Sequence, residues 1–160
     1  RTSFVGQRAF EFGALLASLA GQAEFRPQPC DGLAWAIEQQ PADADRVRAL
    51  CERYVGALGP FGQGQGEIDT LVLGCTHYVF AREVLQGLVG PSVTLIDTGV
   101  PVARQTRRLL AQAGTLAPED GVATPTATTW LSTGQPAQLD AAASRWLGCV
   151  AARSQAPASV

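Results

Sequence analysis

The sequence predicts an α/β protein built on a parallel sheet, and two observations carry that reading. "TLVLG" (70–74) and "SVTLIDTG" (92–99) are near-continuous apolar runs, as expected of strands covered on both faces of a parallel sheet. Each is followed by a helical pattern, "VFAREVLQGLV" (79–89) and "VPVARQTRRLLAQAG" (100–114). A β-α-β-α order across residues 70–114 implies a right-handed parallel crossover.

The remaining elements follow from local signals. "QRAFEFGALLASLA" (7–20) is rich in helix formers, with Phe12, Leu15, Leu16 and Leu19 at helical spacing and Gly21 as a C-cap. "AEFRPQPC" (23–30) reads as a short strand that its prolines soon break. "DGLAWAIEQQ" (31–40) reads as a short helix, capped by Asp31 and ended by Pro41. Across 43–58, Val47, Leu50, Cys51, Tyr54 and Leu58 form one apolar helical stripe, which makes Cys51 a core thiol. "GPFGQGQG" (59–66) has neither lysine nor Walker spacing and is expected to be a flexible connector. A polar segment (114–127) interrupts the pattern before a last strand, "TTWLST", and a last helix, "QPAQLDAAASRWLG". The tail (149–160) is expected to be disordered.

Composition narrows the function classes. The chain has 160 residues, 46% of them apolar and 16% charged, in the range of soluble globular domains. A net charge of -2 gives no electrostatic case for nucleic acid or an anionic membrane. No apolar run reaches the ~18 residues that a spanning helix needs. Four scattered cysteines without a CxxC pair argue against a disulfide framework and a zinc site, and a reduced cytoplasmic setting is expected. There is no methionine, so the chain is expected to be part of a longer one.

"DTLVLGCTHY" (69–78) holds the chemistry, because it places the only histidine two residues beyond a cysteine at a strand end. Ligands of parallel α/β sheets bind beyond the carboxyl ends of the strands. On an extended chain Cys75 and His77 would project to one side. The following helix would point its N-terminus at the pair and favour a thiolate. On the residues alone this is either a reactive thiol or a small buried cysteine beside a histidine that satisfies a carbonyl. A metal site would need two further ligands, with Cys30 and Asp97 as the available guesses. Asp97 reads more simply as the cap of the helix after it.

"TLVLGCTHY" resembles the second cysteine motif of the glutamate racemases, in the aspartate/glutamate racemase superfamily. "VTLIDTG", "VPVARQTRRLL", "QPCDGLAWAIE" and "TTWLSTGQPAQLDAAASRWLG" are similar to further segments of that family, so the resemblance runs from about Ala9 to Gly148. Val79 and Asp31 stand where the family usually has proline, and the first eight residues do not resemble it. The family's Asp-Ser-Gly segment and its Cys-Asn-Thr motif have no counterpart here.

The resemblance implies a cofactor-independent isomerase acting on the small molecule glutamate, with one thiol on each face of the α-carbon, making D-glutamate for peptidoglycan. The absence of lysine fits a route without a pyridoxal Schiff base. It further implies Cys75 as acid/base, His77 as its proton-exchange partner, Glu38 as the support of His77, and Thr76 as a substrate hydrogen-bond donor. No metal is implied, and a homodimer is expected of the full-length form. The implied architecture is a parallel-sheet racemase-like lobe over residues 1–95, with 96–148 as the return segment that completes the other lobe. An N-terminally truncated chain of this kind is expected to be inactive alone. The competing expectations are another amino-acid racemase of the superfamily, such as an aspartate racemase, and a non-catalytic association module.

Overall fold

A computed structural model describes residues 2–6, 17–39, 43–117, 130–148 and 154–155. The chain divides into two compact units, Arg1–Leu109 and Leu110–Val160.

The first unit is organised by a four-stranded parallel sheet in the order β2-β1-β3-β4. Its strands are β1 (Thr2–Gly6), β2 (Phe25–Pro29), β3 (Thr70–Leu73) and β4 (Thr94–Ile96). β1 is a central strand that the sequence reading did not assign. Five residues without flanking turn signals become a strand because Thr2 aligns with Phe25 on one side and Thr70 on the other. β2 carries Pro27 and Pro29 and lies at the edge, where a residue with no N–H costs the sheet nothing on its open side. β4 forms the opposite edge. Only Leu95 of its three residues is buried, with Thr94 and Ile96 exposed. The expectation of a strand covered on both faces therefore fails for β4, whose alternate residues Thr94 and Ile96 share one open face of the sheet.

Helix α1 (Leu33–Glu38) buries Leu33, Ala34, Ala36 and Ile37. The chain enters it through Gly32 in the left-handed region (φ 77), with no side-chain cap, so Asp31 does not cap it as expected. Glycine makes this entry without steric cost. Helix α2 (Ala44–Leu58) buries Val47, Cys51, Val55 and Leu58, one face at helical spacing. Leu50 and Tyr54, expected in that stripe, sit half-buried at its border.

The glycine-rich stretch after α2 is a closed loop. Ile68 N–H donates to the Pro60 carbonyl (3.0 Å), Gly62 N–H to that of Ile68 (3.0 Å), and Gly64 N–H to the Glu67 carboxylate (2.7 Å). Gln63 ties the loop outward by donating to the Ser92 carbonyl at 2.6 Å. A Cβ on Gly62 would meet the Glu67 carboxylate that holds the Gly64 N–H, and these bonds fix the loop, contrary to the flexible connector expected from its composition.

β3 leads through a 3-10 turn (Tyr78–Ala81) into helix α3 (Arg82–Val89), whose buried residues are Leu85 and Val89. The core also holds Ile68, Leu71, Leu73 and Tyr78, all fully buried. Helix α4 (Gly99–Gln112) forms as the sequence predicts but buries none of its residues, and Val100, Val102 and Leu109 are exposed.

In the second unit β5 (Trp130–Leu131) pairs in parallel with β6 (Ser154–Gln155). Helix α5 (Pro136–Leu147) has proline in its first turn and ends on left-handed Gly148 (φ 62), the usual asymmetry of helix ends. β6 falls within the segment expected to be a tail; residues 149–153 and 156–160 lie outside the described residues, as do 7–16 of the first predicted helix. Among the described residues no helix is long and apolar enough to cross a membrane.

Candidate functional site

β3 ends at Leu73, and Gly74 passes the chain to a tight turn in which Tyr78 N–H donates to the Cys75 carbonyl at 3.1 Å. Phe80 N–H then donates to the His77 carbonyl at 3.1 Å, starting the 3-10 turn. Cys75, Thr76 and His77 thus sit beyond the carboxyl end of a parallel strand, as the sequence predicts, on a tight turn that is not extended chain. The turn still brings the two side chains together: Cys75 Sγ lies 3.7 Å from His77 Nδ1. On the far side of the ring, His77 Nε2 lies 2.6 Å from Glu38 Oε1, across 39 residues of sequence. Glu38 is the last residue of α1, so the end of one short helix meets the strand-end turn.

The chemistry of the three groups orders their protons. A carboxylate only accepts hydrogen bonds, so the short contact to Glu38 places the proton on Nε2. Nδ1 is then free to accept the Cys75 S–H or, once protonated, to donate to a thiolate. The His77 and Glu38 side chains are 32% and 55% exposed, so their attraction adds little to stability. Its value is orientational, since it fixes the tautomer and ring plane that face the sulfur. At 3.7 Å the S···N contact is long but within reach of a sulfur hydrogen bond. The arrangement can take a proton at sulfur, pass it to the imidazole and return it.

The other described thiols are built differently. Burial pushes the Cys30 thiol up to about 12, with further lifting from nearby Cys51, and burial followed by Glu52 pushes Cys51 up to about 11. Both are closed off in the core, and Cys30 S–H donates to the Gln28 carbonyl at 3.6 Å. Cys75 is half-buried and is the described cysteine that combines access with a neighbouring base, which is what thiol reactivity requires. Cys149 lies outside the described residues.

Thr76 is exposed at the middle of the turn. Asp97 accepts the Gly99 N–H at 3.1 Å, the capping role expected, and also pairs with Arg82 at 3.0 Å. Cys30 and Asp97 do not join Cys75 and His77 in a ligand set. Among the described residues no group of three or more His, Cys, Asp or Glu side chains is placed to hold a metal ion.

Two tyrosines that the sequence places only in apolar patterns make polar contacts here. Tyr78 is fully buried, and its hydroxyl donates to the Cys30 carbonyl at 3.3 Å. Tyr54, on α2, donates to the Asp31 carbonyl at 2.7 Å. The available signal was a pair of amphipathic aromatics, the chain's only tyrosines, in otherwise apolar patterns.

No family model matches the chain. Over 128 residues it is 42% identical to a glutamate racemase of Herpetosiphon aurantiacus, a match covering 80% of this chain and 47% of that one. The chain thus spans about half the length of the relatives it matches. Among solved structures it resembles a glutamate racemase of Bacillus anthracis, with a TM-score of 0.79 and 23% identity over 98% of this chain and 57% of the other. It also resembles one from Francisella tularensis in complex with D-glutamate, with a TM-score of 0.76 and 17% identity over the same shares of each chain. At those identities the likeness is one of fold, and the α/β parallel-sheet fold expected from the sequence is the fold they share with this chain.

Proposed function

We propose, from the 42% identity over 128 residues to a glutamate racemase, that the strand-end turn of this chain forms one face of a site that interconverts L- and D-glutamate. The observation that carries this reading is the line Cys75–His77–Glu38, with contacts of 3.7 and 2.6 Å at the carboxyl end of β3. The Francisella structure holds D-glutamate, which supports glutamate as the substrate. The product would be D-glutamate for peptidoglycan, made in the cytoplasm.

The proposed reaction uses two thiols. The Cys75 thiolate removes the α-proton of L-glutamate, breaking the Cα–H bond and forming S–H. A second thiol on the opposite face gives its proton to the carbanion and is left as the thiolate. His77 then carries the proton from Cys75 sulfur to solvent while Glu38 holds the ring, the second thiolate takes up a proton from solvent, and Thr76 donates a hydrogen bond to the substrate. The α-proton is so weakly acidic that base placement and charge stabilisation must both contribute. Since Cys30 and Cys51 are sealed in the core, the second thiol would come from the part of the protein that the resemblance assigns to the other lobe.

The test is circular dichroism of L- and D-glutamate solutions with a full-length protein carrying these residues. Wild type should invert both enantiomers, Cys75→Ala should invert neither, and the 160-residue chain alone should be inactive. Inversion that persists in Cys75→Ala would overturn the reading, and a preference for aspartate would overturn its substrate.

A further inference from the structure

Both tyrosines of the chain spend their hydroxyls on one corner. Tyr78 OH donates to the Cys30 carbonyl at 3.3 Å and Tyr54 OH to the adjacent Asp31 carbonyl at 2.7 Å. They reach it from different elements, Tyr78 from the 3-10 turn that follows His77 and Tyr54 from α2. From this corner the chain turns through left-handed Gly32 into α1, a rod of six residues held by four buried side chains, with Glu38 at its end. At ~1.5 Å per residue the rod is only ~9 Å long, so a displaced corner displaces Glu38 with it.

The connections close a ring. Glu38 touches His77, His77 is bonded to Tyr78, Tyr78 donates to Cys30, and Cys30 leads through α1 back to Glu38. We infer that Tyr78 and Tyr54 are positioning residues, which hold the Cys30–Asp31 corner and so set where Glu38 stands against His77.

Packing alone does not account for these hydroxyls. A phenylalanine would fill the fully buried Tyr78 site without burying a polar atom, and an unneeded buried hydroxyl is costly. Nor does the Cys30 carbonyl need the bond to be satisfied, because it also accepts the Leu33 N–H at 3.3 Å. What the phenol adds is a fixed distance between the turn that carries His77 and the corner that carries α1. Burial pushes both phenol pKa values up, with further lifting of Tyr78 from Cys30 and Cys75, so both remain protonated donors at neutral pH.

The inference rests on the proposed role of Glu38 and His77, and its test separates the two. His77 is the only histidine of the chain, so ¹⁵N spectra of the 160-residue chain report one imidazole. In wild type the ring should carry its proton on Nε2. Tyr78→Phe should move it toward a mixed tautomer, Tyr54→Phe should do so to a smaller degree, and Val89→Ala, a cavity variant on α3, should not. In a full-length protein, Tyr78→Phe should lower kcat roughly tenfold with KM nearly unchanged, less than the ~10²-fold that ~1 Å of misplacement can cost. Combined with Glu38→Gln, its effect should largely disappear, since the two changes then act on one contact. Imidazole signals unmoved by either tyrosine change, or moved as much by Val89→Ala, would overturn the inference. So would full additivity with Glu38→Gln. A tautomer shift in a protein that never inverts glutamate would uphold the corner and sink the racemase reading.

Discussion

Cys51 and Cys75 belong to the same compact unit, yet their surroundings give them opposite chemistry. Cys51 sits mid-helix on the face that α2 buries, and desolvation raises its pKa to about 11. Cys75 sits two residues past the end of β3, half-buried, with an imidazole nitrogen 3.7 Å away and a carboxylate behind it. The difference comes from position on the sheet. A helix face turned inward makes a thiol into packing, whereas the carboxyl edge of a parallel strand presents it on a turn that other elements can reach.

The largest expected effect breaks this comparison outright. In a full-length protein, Cys75→Ala should remove turnover in both directions, while Cys51→Ala should leave kcat close to wild type and lower only the unfolding midpoint. Equal losses of activity would mean that the strand end is not special. Next comes His77→Asn, expected to spare folding and to slow turnover by about 10²–10⁴-fold, the usual worth of acid–base assistance. The loss in kcat should be greater from L-glutamate, where Cys75 is the proposed base. Because the equilibrium constant between enantiomers is unity, KM must shift to match. Unchanged kinetics both ways would leave His77 as a polar residue that ends a strand.

The core thiols should show themselves in alkali. Their pKa values rise from an ordinary 9.0 to about 11 in Cys51 and about 12 in Cys30 on folding. Above pH 9 the unfolded chain loses these protons while the folded chain keeps them. Their contribution to stability is therefore complete below about pH 9 and is lost as pH rises through 11 and 12. The slope is about 1.4 kcal/mol per pH unit for each thiol. Urea midpoints between pH 8 and 11 should fall in wild type and fall less in Cys51→Ala. The smallest effect is reserved for the glycine loop. Gly62→Ala forces the Glu67 carboxylate aside and should cost ~1–3 kcal/mol, as overpacking does, with kcat intact.

The parts legible in the sequence are those set by neighbours along the chain. β3, α3, β4 and α4 follow from apolar runs and helical spacing, and Cys75 and His77 lie two residues apart in one motif. Glu38 was reachable only through the resemblance, because no local pattern links it to a ring 39 positions away. Features made by distant partners were not legible. β1 is a strand because β2 and β3 flank it, and β4 is half-open because one face of the sheet is uncovered there. Gly62 is required by Glu67, and the tyrosine hydroxyls have meaning only once α1, α2 and the 3-10 turn converge on residues 30 and 31.

Whether Cys75 handles the α-proton decides the proposed reaction. The direct measurement is conversion of L-glutamate in D₂O by a full-length protein carrying these residues, with mass spectrometry of both enantiomers. Wild type should give D-glutamate carrying deuterium at the α-carbon, and Cys75→Ala should give no α-deuterium in either enantiomer. Deuterated D-glutamate formed at an undiminished rate by Cys75→Ala would contradict the proposed reaction.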